Sequence, residues 1–262
     1  MRPLSARNPR VLRLAKLARR HEERDQQRAL LVEGPVLLAT AIDAGADVVE
    51  VYVHDDAVDR PAVADVLARL GPQVIPWVVP SGTLDRVGDV VTSQGVISIV
   101  RRDQPAWPTP DAASFVLVLA DVADPGNAGT LVRAAAAAGA GAVVVAGGVD
   151  PSSPKVVRAS AGAVFGIDVV TASSATDALA TLSASGYALA GTVVRDGAAY
   201  DTVDLTGPVA VVVGNEAHGL DPSLVDALDL AVTIPMAGPT ESLNVAMAGT
   251  VICFEVLRQR RR

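Results

Sequence analysis

The stretch IPMAGPTESLNVAMAGTVICFE, residues Ile234–Glu255, joins two kinds of sequence with opposite structural preferences. Its first part, Ile234–Thr240, contains two prolines and one glycine, which predicts an irregular loop. The residues from Ser242 or Leu243 onward are mostly small and apolar, so they predict a buried helix. A rigid loop that leads into a helix N-terminus presents free backbone N–H groups to a small ligand. A tight loop before a capped core helix explains the stretch equally well, so other segments must distinguish the two.

The composition predicts an α/β protein. The chain has 262 residues, of which 50% are hydrophobic and 3% aromatic. Its core must therefore be built from Val, Ala, Leu and Ile, which suits strands buried on both faces and closely packed helices. The length is enough for one large domain or two modest ones.

The sequence gives no sign of a membrane, secretory or metal-binding protein. No apolar run reaches the roughly 20 residues of a membrane span, and no apolar stretch follows the charged N-terminus. Cys253 is the one cysteine, so an internal disulfide framework is excluded. The three histidines lack metal-ligand spacing. We therefore expect a cytoplasmic protein without a metal site.

The net charge of −7 is unevenly distributed along the chain. Residues 1–28 contain nine Arg or Lys against three acids, and residues 255–262 contain four Arg against one acid. The long interior is correspondingly acidic. Basic ends on an acidic chain indicate a local patch that meets phosphates. A solvated amphipathic helix and a charged tail account for the same charges.

Strands and helices alternate along the chain, which predicts two α/β domains. The first covers residues 1–101, a proline-rich linker covers 102–113, and the second covers 114–262. Residues 9–28 predict one amphipathic helix with an arginine-rich outer face. In the second domain the spacing predicts a parallel sheet covered on both faces, so a ligand is expected beyond the carboxyl ends of its strands.

Two further segments carry polar residues at such strand ends. In DVADPGNAGTLVRAA, residues 121–135, Asn127 is placed to cap a helix that follows a glycine-marked loop. Arg133 interrupts the apolar sequence of that helix, and a buried charge there would need a partner or a purpose. In VVVGNEAHGL, residues 211–220, a hydrophobic strand ends in a polar turn bounded by glycines, which is a usual form of ligand loop.

Together, and in this order, the three segments resemble the SpoU/TrmH family of RNA ribose 2'-O-methyltransferases in the SPOUT superfamily. The resemblance covers about residues 114–257 and includes KVVRASAGAVF, residues 155–165, through Lys155, Arg158, Ser160, Gly162 and Ala163. The matching motif positions are Asn127, Arg133, Gly214, Asn215, Glu216, Gly219, Ile234, Pro235, Met236, Ser242, Leu243, Asn244 and Val245. His218 fills a variable position and is not assigned as a base.

Looser motifs lie in the first domain: Asn8 before the basic helix, LLVEGPVLL with Glu33 and Gly34, and TSQGVISIV with Gln94 and Gly95. Through them, residues 8–101 resemble the substrate-binding domain that is often attached in this family. The resemblance implies a ribosomal-protein-like α/β fold for this smaller RNA-binding domain. It implies a deep trefoil knot at the C-terminal end of the parallel-sheet domain, where the pattern alone predicts an ordinary doubly wound sheet, because true knots are rare. It also implies a homodimer through the knotted domain, with the site near the interface.

The resemblance further implies S-adenosylmethionine as the cofactor and assigns residues to it. The implied cofactor-binding residues are Thr192, Gly214, Asn215, Glu216, Gly219, Ile234, Met236, Ser242, Leu243 and Asn244. The implied catalytic residues are Arg133, Asn127, Glu216, Ser242 and Asn244. Because a guanidinium barely deprotonates, we expect Arg133 to stabilise a developing 2'-oxyanion or hold a phosphate rather than act as a base.

The expected substrate is RNA, with rRNA, most simply 23S rRNA, preferred over tRNA because the attached domain suits folded RNA loops. A nucleotide whose methylation gives thiopeptide resistance is another target within this hypothesis. The different classes left open are a non-catalytic RNA-binding or ribosome-assembly protein and a nucleotide-binding enzyme unrelated to RNA. The residues expected to contact RNA are Arg7, Arg10, Arg13, Lys16, Arg19, Arg20 and Arg24.

Overall fold

The computed structural model describes residues 1–87, 93–111 and 114–261. The chain divides into a first unit, Met1–Gln104 with Ser152–Phe165, and a second unit, Pro105–Pro151 with Gly166–Arg262. Residues 112 and 113 of the predicted linker, and residue 262 of the predicted second domain, lie outside the described part. The sequence places residues 152–165 in the second domain, whereas in the structure they pack within the first unit.

Regular elements alternate as the sequence predicts. Within the described residues the strands are β1 (Arg2–Pro3), β2 (Ala29–Glu33), β3 (Val48–His54), β4 (Trp77–Val79), β5 (Val96–Arg101), β6 (Phe115–Ala120), β7 (Ala142–Ala146), β8 (Asp168–Ala172), β9 (Ala188–Thr192), β10 (Ala198–Ala199), β11 (Val209–Val213) and β12 (Leu230–Thr233). The helices are α1 (Pro9–Arg19), α2 (His21–Gln26), α3 (Pro35–Asp43), α4 (Pro61–Ala68), α5 (Pro125–Ala137), α6 (Pro154–Ala159), α7 (Ala175–Ala184), α8 (Pro222–Val225) and α9 (Val245–Arg260). Considered over the described residues, none of these helices is long and apolar enough to cross a membrane.

The first unit is built on a mixed sheet with strand order β1-β4-β3-β5-β2. The strands β1, β4 and β3 run parallel, and β5 runs antiparallel to β3 and β2. Apolar side chains fill both faces, with Leu14 and Leu17 of α1 on one face and Leu38 of α3 on the other. Val157 of α6 joins the second of these clusters.

The predicted single helix over residues 9–28 is wrong, because the chain breaks at Arg20. Arg20 has an extended backbone, with φ −117° and ψ 118°, which separates α1 from α2. The Arg24 side chain then folds back and donates to the carbonyl oxygens of Leu17 and Ala18, at 2.6 and 3.3 Å. It thereby satisfies acceptors that the end of α1 leaves open.

The second unit confirms the predicted parallel sheet. Its strand order is β10-β12-β9-β11-β6-β7-β8, and each neighbouring pair is parallel. Every residue of β6, β7 and β11 is buried, as expected for strands covered on both faces. The carboxyl ends of β6, β9, β11 and β12 consequently share one edge of the sheet.

Helix α5 begins earlier than the sequence suggests. The predicted loop at residues 123–129 is mostly the first turns of α5, because Asp124 caps the helix and Pro125 occupies its first position. The Asp124 Oδ1 atom accepts from the Asn127 N–H at 2.8 Å. Asn127 is therefore not the cap, and its side chain is free for other contacts.

Helix α9 packs closely on α5 and β11. A Cβ atom added at Gly249 would lie 2.4 Å from Leu131 Cδ2 and 3.3 Å from Val213 Cγ1, so a larger residue there would displace the end of the Leu131 side chain. At the other end of α9, Arg260 donates to the carbonyl oxygens of Ser114 and Gly207, at 3.0 and 2.6 Å.

These contacts correct the idea of a free basic C-terminal segment. Arg260 is engaged by backbone carbonyls, and Arg258 pairs with the buried Glu255 at 2.6 Å. The hydrogen bond to Glu255 is the main cause of a raised Arg258 pKa. Burial lowers the pKa of Arg260. Two of the three described arginines at this end, Arg258 and Arg260, therefore bond to groups within the second unit.

Candidate functional site

A cavity of about 240 Å³ opens at the carboxyl edge of the second sheet. It lies among the segments that follow β9, β11 and β12. Nine of the ten predicted cofactor-binding residues line it: Thr192, Gly214, Asn215, Glu216, Gly219, Ile234, Met236, Ser242 and Leu243. Asn244 is the tenth and is not among the lining residues. The cavity is also lined by residues that were not assigned to the cofactor, namely Val193, Val194, Ala217, His218, Val232, Glu241, Val245 and Ala248.

The turn after β11 forms one wall of the cavity and depends on Gly214. A Cβ atom at Gly214 would lie 2.3 Å from the carbonyl carbon of Gly219 and 2.5 Å from the amide nitrogen of Leu220. Asn215 and Gly219 exchange two backbone hydrogen bonds, of 3.0 and 2.9 Å. The Asn215 side chain closes the turn by accepting from the N–H of Ala217 at 2.9 Å. The backbone of this wall is therefore held rigidly.

Glu216 ties this turn to the segment after β6. Its two carboxylate oxygens accept from the backbone N–H groups of Ala123 and Asp124, each at 3.0 Å. One of them also accepts from Nδ2 of Asn127 at 2.9 Å. Burial raises the pKa of Glu216, but these three hydrogen bonds outweigh it and hold the pKa below its ordinary value. Glu216 is therefore an ionised group with committed oxygens, which suits positioning better than proton transfer.

Asn127 and Asn244 complete a relay that joins the three motifs. The Asn244 Nδ2 atom donates to Asn127 Oδ1 at 3.0 Å, while Asn127 Nδ2 donates to Glu216. The Asn244 Oδ1 atom accepts from the N–H groups of Ala246 and Met247, at 2.9 and 3.3 Å, and so caps α9. Each amide orientation is fixed by its neighbours. The structure thus brings together residues that are up to 117 positions apart.

Arg133 and Ser242 have no such partners. Arg133 is exposed on α5, so the expectation of a buried charge there is wrong. Neither side chain forms a hydrogen bond or ion pair with the described residues. Ser242 lines the cavity, whereas Arg133 does not. Both side chains are therefore available to a ligand or to another chain.

The predicted RNA-contacting residues divide into free and engaged side chains. Arg24 is 4% exposed and bonds to Leu17, Ala18 and, at 3.2 Å, Ser152. Its assignment to RNA is therefore corrected to a structural role within the first unit. Arg19 donates to the carbonyl oxygen of Arg86 at 3.0 Å.

The other predicted RNA-contacting residues are exposed or partly buried. Arg10 and Arg13 both pair with Glu50, at 3.0 and 2.9 Å, and they keep 46% and 36% of their side chains exposed. The residues that are exposed and make no hydrogen bond or ion pair with the described part of the chain are Arg7, Lys16 and Arg20.

Comparison with known families identifies the part of the chain that contains the site. The model of the SpoU rRNA Methylase family matches residues 114–254, which is more than half of the chain. The chain belongs to the SpoU methylase family. The SpoU region contains the cavity and the relay. A model named MRM3-like substrate binding domain matches residues 8–98. Family membership makes this protein an RNA methyltransferase.

Relatives of this SpoU chain share its whole length. The 23S rRNA (guanosine(2553)-2'-O)-methyltransferase RlmP of Bacillus subtilis (strain 168) is 30% identical over 96% of this chain and 97% of its own. A crystal structure of an RNA 2'-O ribose methyltransferase is 33% identical, with a TM-score of 0.84 over 99% of this chain and 100% of that one. AviRb from Streptomyces viridochromogenes, solved with the cofactor AdoMet, is 27% identical, with a TM-score of 0.85 over 97% and 99%.

Proposed function

We propose that this protein transfers a methyl group from S-adenosylmethionine to a ribose 2'-hydroxyl of RNA, with 23S rRNA as the target. The carrying observation is the relay of Asn244, Asn127 and Glu216 beside the cavity. The name of RlmP, which matches almost the whole chain, supports 23S rRNA and the 2'-hydroxyl. This substrate would place the protein in the cytoplasm.

The cavity fits the chemistry of S-adenosylmethionine. Val193, Val232 and Leu243 offer apolar surface for the adenine ring, and the tight turn after Gly214 offers rigid backbone groups for its polar edge. Thr192 and Ser242 add hydroxyl groups. The volume of about 240 Å³ is just below the roughly 300 Å³ at which typical ligand pockets begin, so the cofactor must be compact or partly exposed.

When bound, S-adenosylmethionine supplies an electrophilic sulfonium methyl group. The chain has to place the ribose hydroxyl in line with that group and ease the loss of its proton. Asn127 and Asn244 each retain one amide N–H beyond those used in the relay, and these can orient the ribose oxygens. Glu216 holds Asn127 in position and is not the base, because its carboxylate oxygens are already engaged.

Arg133 provides positive charge for the reaction. It has no acidic partner among the described residues, so its full charge is available to a developing oxyanion or to the adjacent phosphate. The planar guanidinium holds a phosphate through two parallel hydrogen bonds, which a lysine cannot reproduce. We expect Arg133→Lys to lose most turnover in single-turnover assays, while S-adenosylmethionine binding measured by calorimetry stays unchanged. Near-full turnover with an unchanged pH profile would rule out this positioning role.

A homodimer formed through the second unit is part of the proposal. Met247 and Phe254 lie seven residues apart on α9, so they share one face, and they are 65% and 46% exposed. A second copy of this chain would cover that apolar face. Light scattering should show that the unmodified protein is a dimer and that Phe254→Glu shifts it toward the monomer. A monomeric unmodified protein would refute the proposed homodimer. The deep trefoil knot is also proposed, and an experimental trace through residues 207–260 tests it.

The central experiment measures methyl transfer directly. The protein is incubated with radiolabelled S-adenosylmethionine and separate transcripts of 23S rRNA, 16S rRNA and mixed tRNA. We expect the radiolabel to enter 23S rRNA at one nucleotide. The RNA chain should resist alkaline cleavage at that nucleotide, because its ribose 2'-oxygen is methylated. Incorporation into tRNA alone would move the substrate to tRNA. Cofactor binding without transfer to any RNA, including whole ribosomal subunits, would favour a non-catalytic assembly role.

A further inference from the structure

Trp77 in the first unit stacks with two arginines from different elements. The guanidinium carbon of Arg10 lies 4.7 Å from the centre of the Trp77 ring, and that of Arg2 lies 5.8 Å from it. Both distances are within the roughly 6 Å of a cation–π contact. Arg2 is paired with Trp77 in register between β1 and β4, and Arg10 belongs to the first turn of α1. Trp77 as a residue is half-buried, so it is not fully covered by the core.

A partly buried carboxylate fixes the arginine beside this ring. Glu50 is 13% exposed and accepts from Nη1 of both Arg10 and Arg13. The hydroxyl of Tyr52, which is fully buried, donates to the other oxygen of Glu50. Burial and this hydrogen bond raise the pKa of Tyr52 well above its ordinary value, so the phenol remains a donor at physiological pH. Arg10 and Arg13 are therefore held in place before any ligand arrives.

The charges around the ring remain in excess after this pairing. Arg10 and Arg13 share the one carboxylate of Glu50, and Arg2 adds a third cation at the ring, so positive charge is left over. Lys16 continues the row, since residues three apart are neighbours on a helix surface. It is exposed and forms no ion pair within the described chain. Arg19 is directed elsewhere, to the carbonyl oxygen of Arg86. One flank of α1 thus combines fixed cations with an aromatic ring.

We propose that Arg2, Trp77 and Arg10 form a stacking site for an unpaired nucleotide of an RNA ligand, with Arg13 and Lys16 contacting its phosphates. Unpaired bases stack on aromatic rings and on guanidinium planes, and a phosphate accepts the guanidinium N–H groups. A fully paired duplex uses only the charges, because its bases are already stacked on one another. The site deepens the function proposed above and rests on RNA being the substrate.

The two tryptophans of the chain, Trp77 and Trp107, make a direct optical test possible. In Trp107→Phe the remaining tryptophan is Trp77, and the proposed site is unaltered. The protein is titrated at low salt with an RNA hairpin that has an unpaired loop and with a blunt duplex of equal phosphate number. We expect the hairpin to quench the Trp77 fluorescence and the duplex to bind without quenching. Equal quenching by both, or none by either, would overturn the proposal.

Substitutions give the size of the effect. Trp77→Ala should weaken hairpin binding by about 5- to 100-fold, the range for loss of one base–aromatic stack. Trp77→Phe should restore most of the affinity, and duplex binding should stay within about 2-fold throughout. Because Trp77 also packs against the core, a thermal melt accompanies each variant. Lys16→Ala, which removes a proposed phosphate contact without touching the ring, is the matched control and should weaken hairpin and duplex equally. If Trp77→Ala weakened the binding of the hairpin and of the duplex equally, stacking would be refuted.

The outcomes separate this site from the proposed reaction. In methylation assays Trp77→Phe and Trp77→Ala should differ in the KM for RNA, while kcat and the KM for S-adenosylmethionine stay unchanged. If the protein methylates RNA but the hairpin does not quench the Trp77 fluorescence, the stacking site is refuted and the proposed function is not. Failure of the unmodified protein to methylate any RNA would refute the proposed function instead.

Discussion

The relay in the second unit and the basic surface of the first unit differ in how their polar groups are used. In the relay, each polar side chain bonds to a residue from another motif, as Asn127 does with Asn244 and Glu216. On the basic surface, neighbouring cations have unlike roles: Arg24 is buried, whereas Lys16 is exposed. A motif therefore predicts which residues contact one another. A count of charged residues does not distinguish exposed side chains from those bonded within the protein.

The largest expected effect comes from breaking the relay. Asn127→Ala removes the link between Asn244 and Glu216, and it should lower kcat by on the order of 100- to 1000-fold, as for loss of one preorganised donor. Single-turnover methylation at saturating RNA measures it. Thr130→Ala, a polar truncation on the same helix, is the control and should have little effect. If both variants reacted at similar rates, the relay would have no role in positioning.

The next effect contrasts two close contacts in the second unit. Gly214→Ala should destabilise the protein by about 1–3 kcal/mol and weaken S-adenosylmethionine binding, because the new Cβ meets backbone atoms that cannot move aside. Gly249→Ala should cost less, since it meets the end of the Leu131 side chain. Urea unfolding and calorimetry measure the two quantities. Gly207→Ala, with no atom within 4 Å of its Cβ, is the control.

A smaller effect separates internal from free charge in the first unit. Arg24→Ala leaves the carbonyl oxygens of Leu17 and Ala18 without their donor, so it should cost about 1–3 kcal/mol of stability. Lys16→Ala should leave stability unchanged. It should reduce the slope of log RNA affinity against log salt concentration by about 1, the value for one lost phosphate contact. Melting curves and binding at several salt concentrations test both. A steeper loss of stability in Lys16→Ala than in Arg24→Ala would contradict the assignment.

The smallest effect is a pH dependence that arises from Glu216. Its pKa is lowered in the folded protein, so the carboxylate stabilises the fold above its ordinary pKa of 4.5, and this contribution is lost as pH falls through the lower folded value. The melting temperatures of the unmodified protein and Glu216→Gln should therefore converge as the pH falls below 4.5. A constant difference over that range would show that Glu216 does not titrate with folding.

Sequence patterns predicted the parallel sheet because β6, β7 and β11 are continuous apolar runs, which few other structures accommodate. They also predicted a ligand site at the carboxyl ends of these strands, since strand ends and glycine-bounded turns are local signals, whereas the individual cavity residues were implied by the family resemblance. The start of α5 was misplaced because its loop-like glycines hid the cap by Asp124 and the proline after it. The same reasoning made Asn127 a helix cap, although its side chain reaches distant residues.

Long-range contacts were the part that pattern reasoning could not supply. The break at Arg20 and the burial of Arg24 depend on where the Arg24 guanidinium finds carbonyl oxygens, which periodicity does not encode. Likewise, Arg133 seemed to be a buried charge because its neighbours in sequence are apolar, yet it occupies the exposed side of α5. Trp77 gave no signal at all, since a lone tryptophan in a short strand is ordinary.

The hydrogen bond between Asn244 and Asn127 also bears on the timing of synthesis. Asn127 leaves the ribosome 117 residues before Asn244, so α5 and the turn after β11 can fold while the relay is still incomplete. Asn244 joins only when it caps α9 and the helix docks through Gly249. The nascent chain therefore passes an interval in which α5 and the turn after β11 can be in place while the amides of Asn127 and Asn244 are not yet aligned.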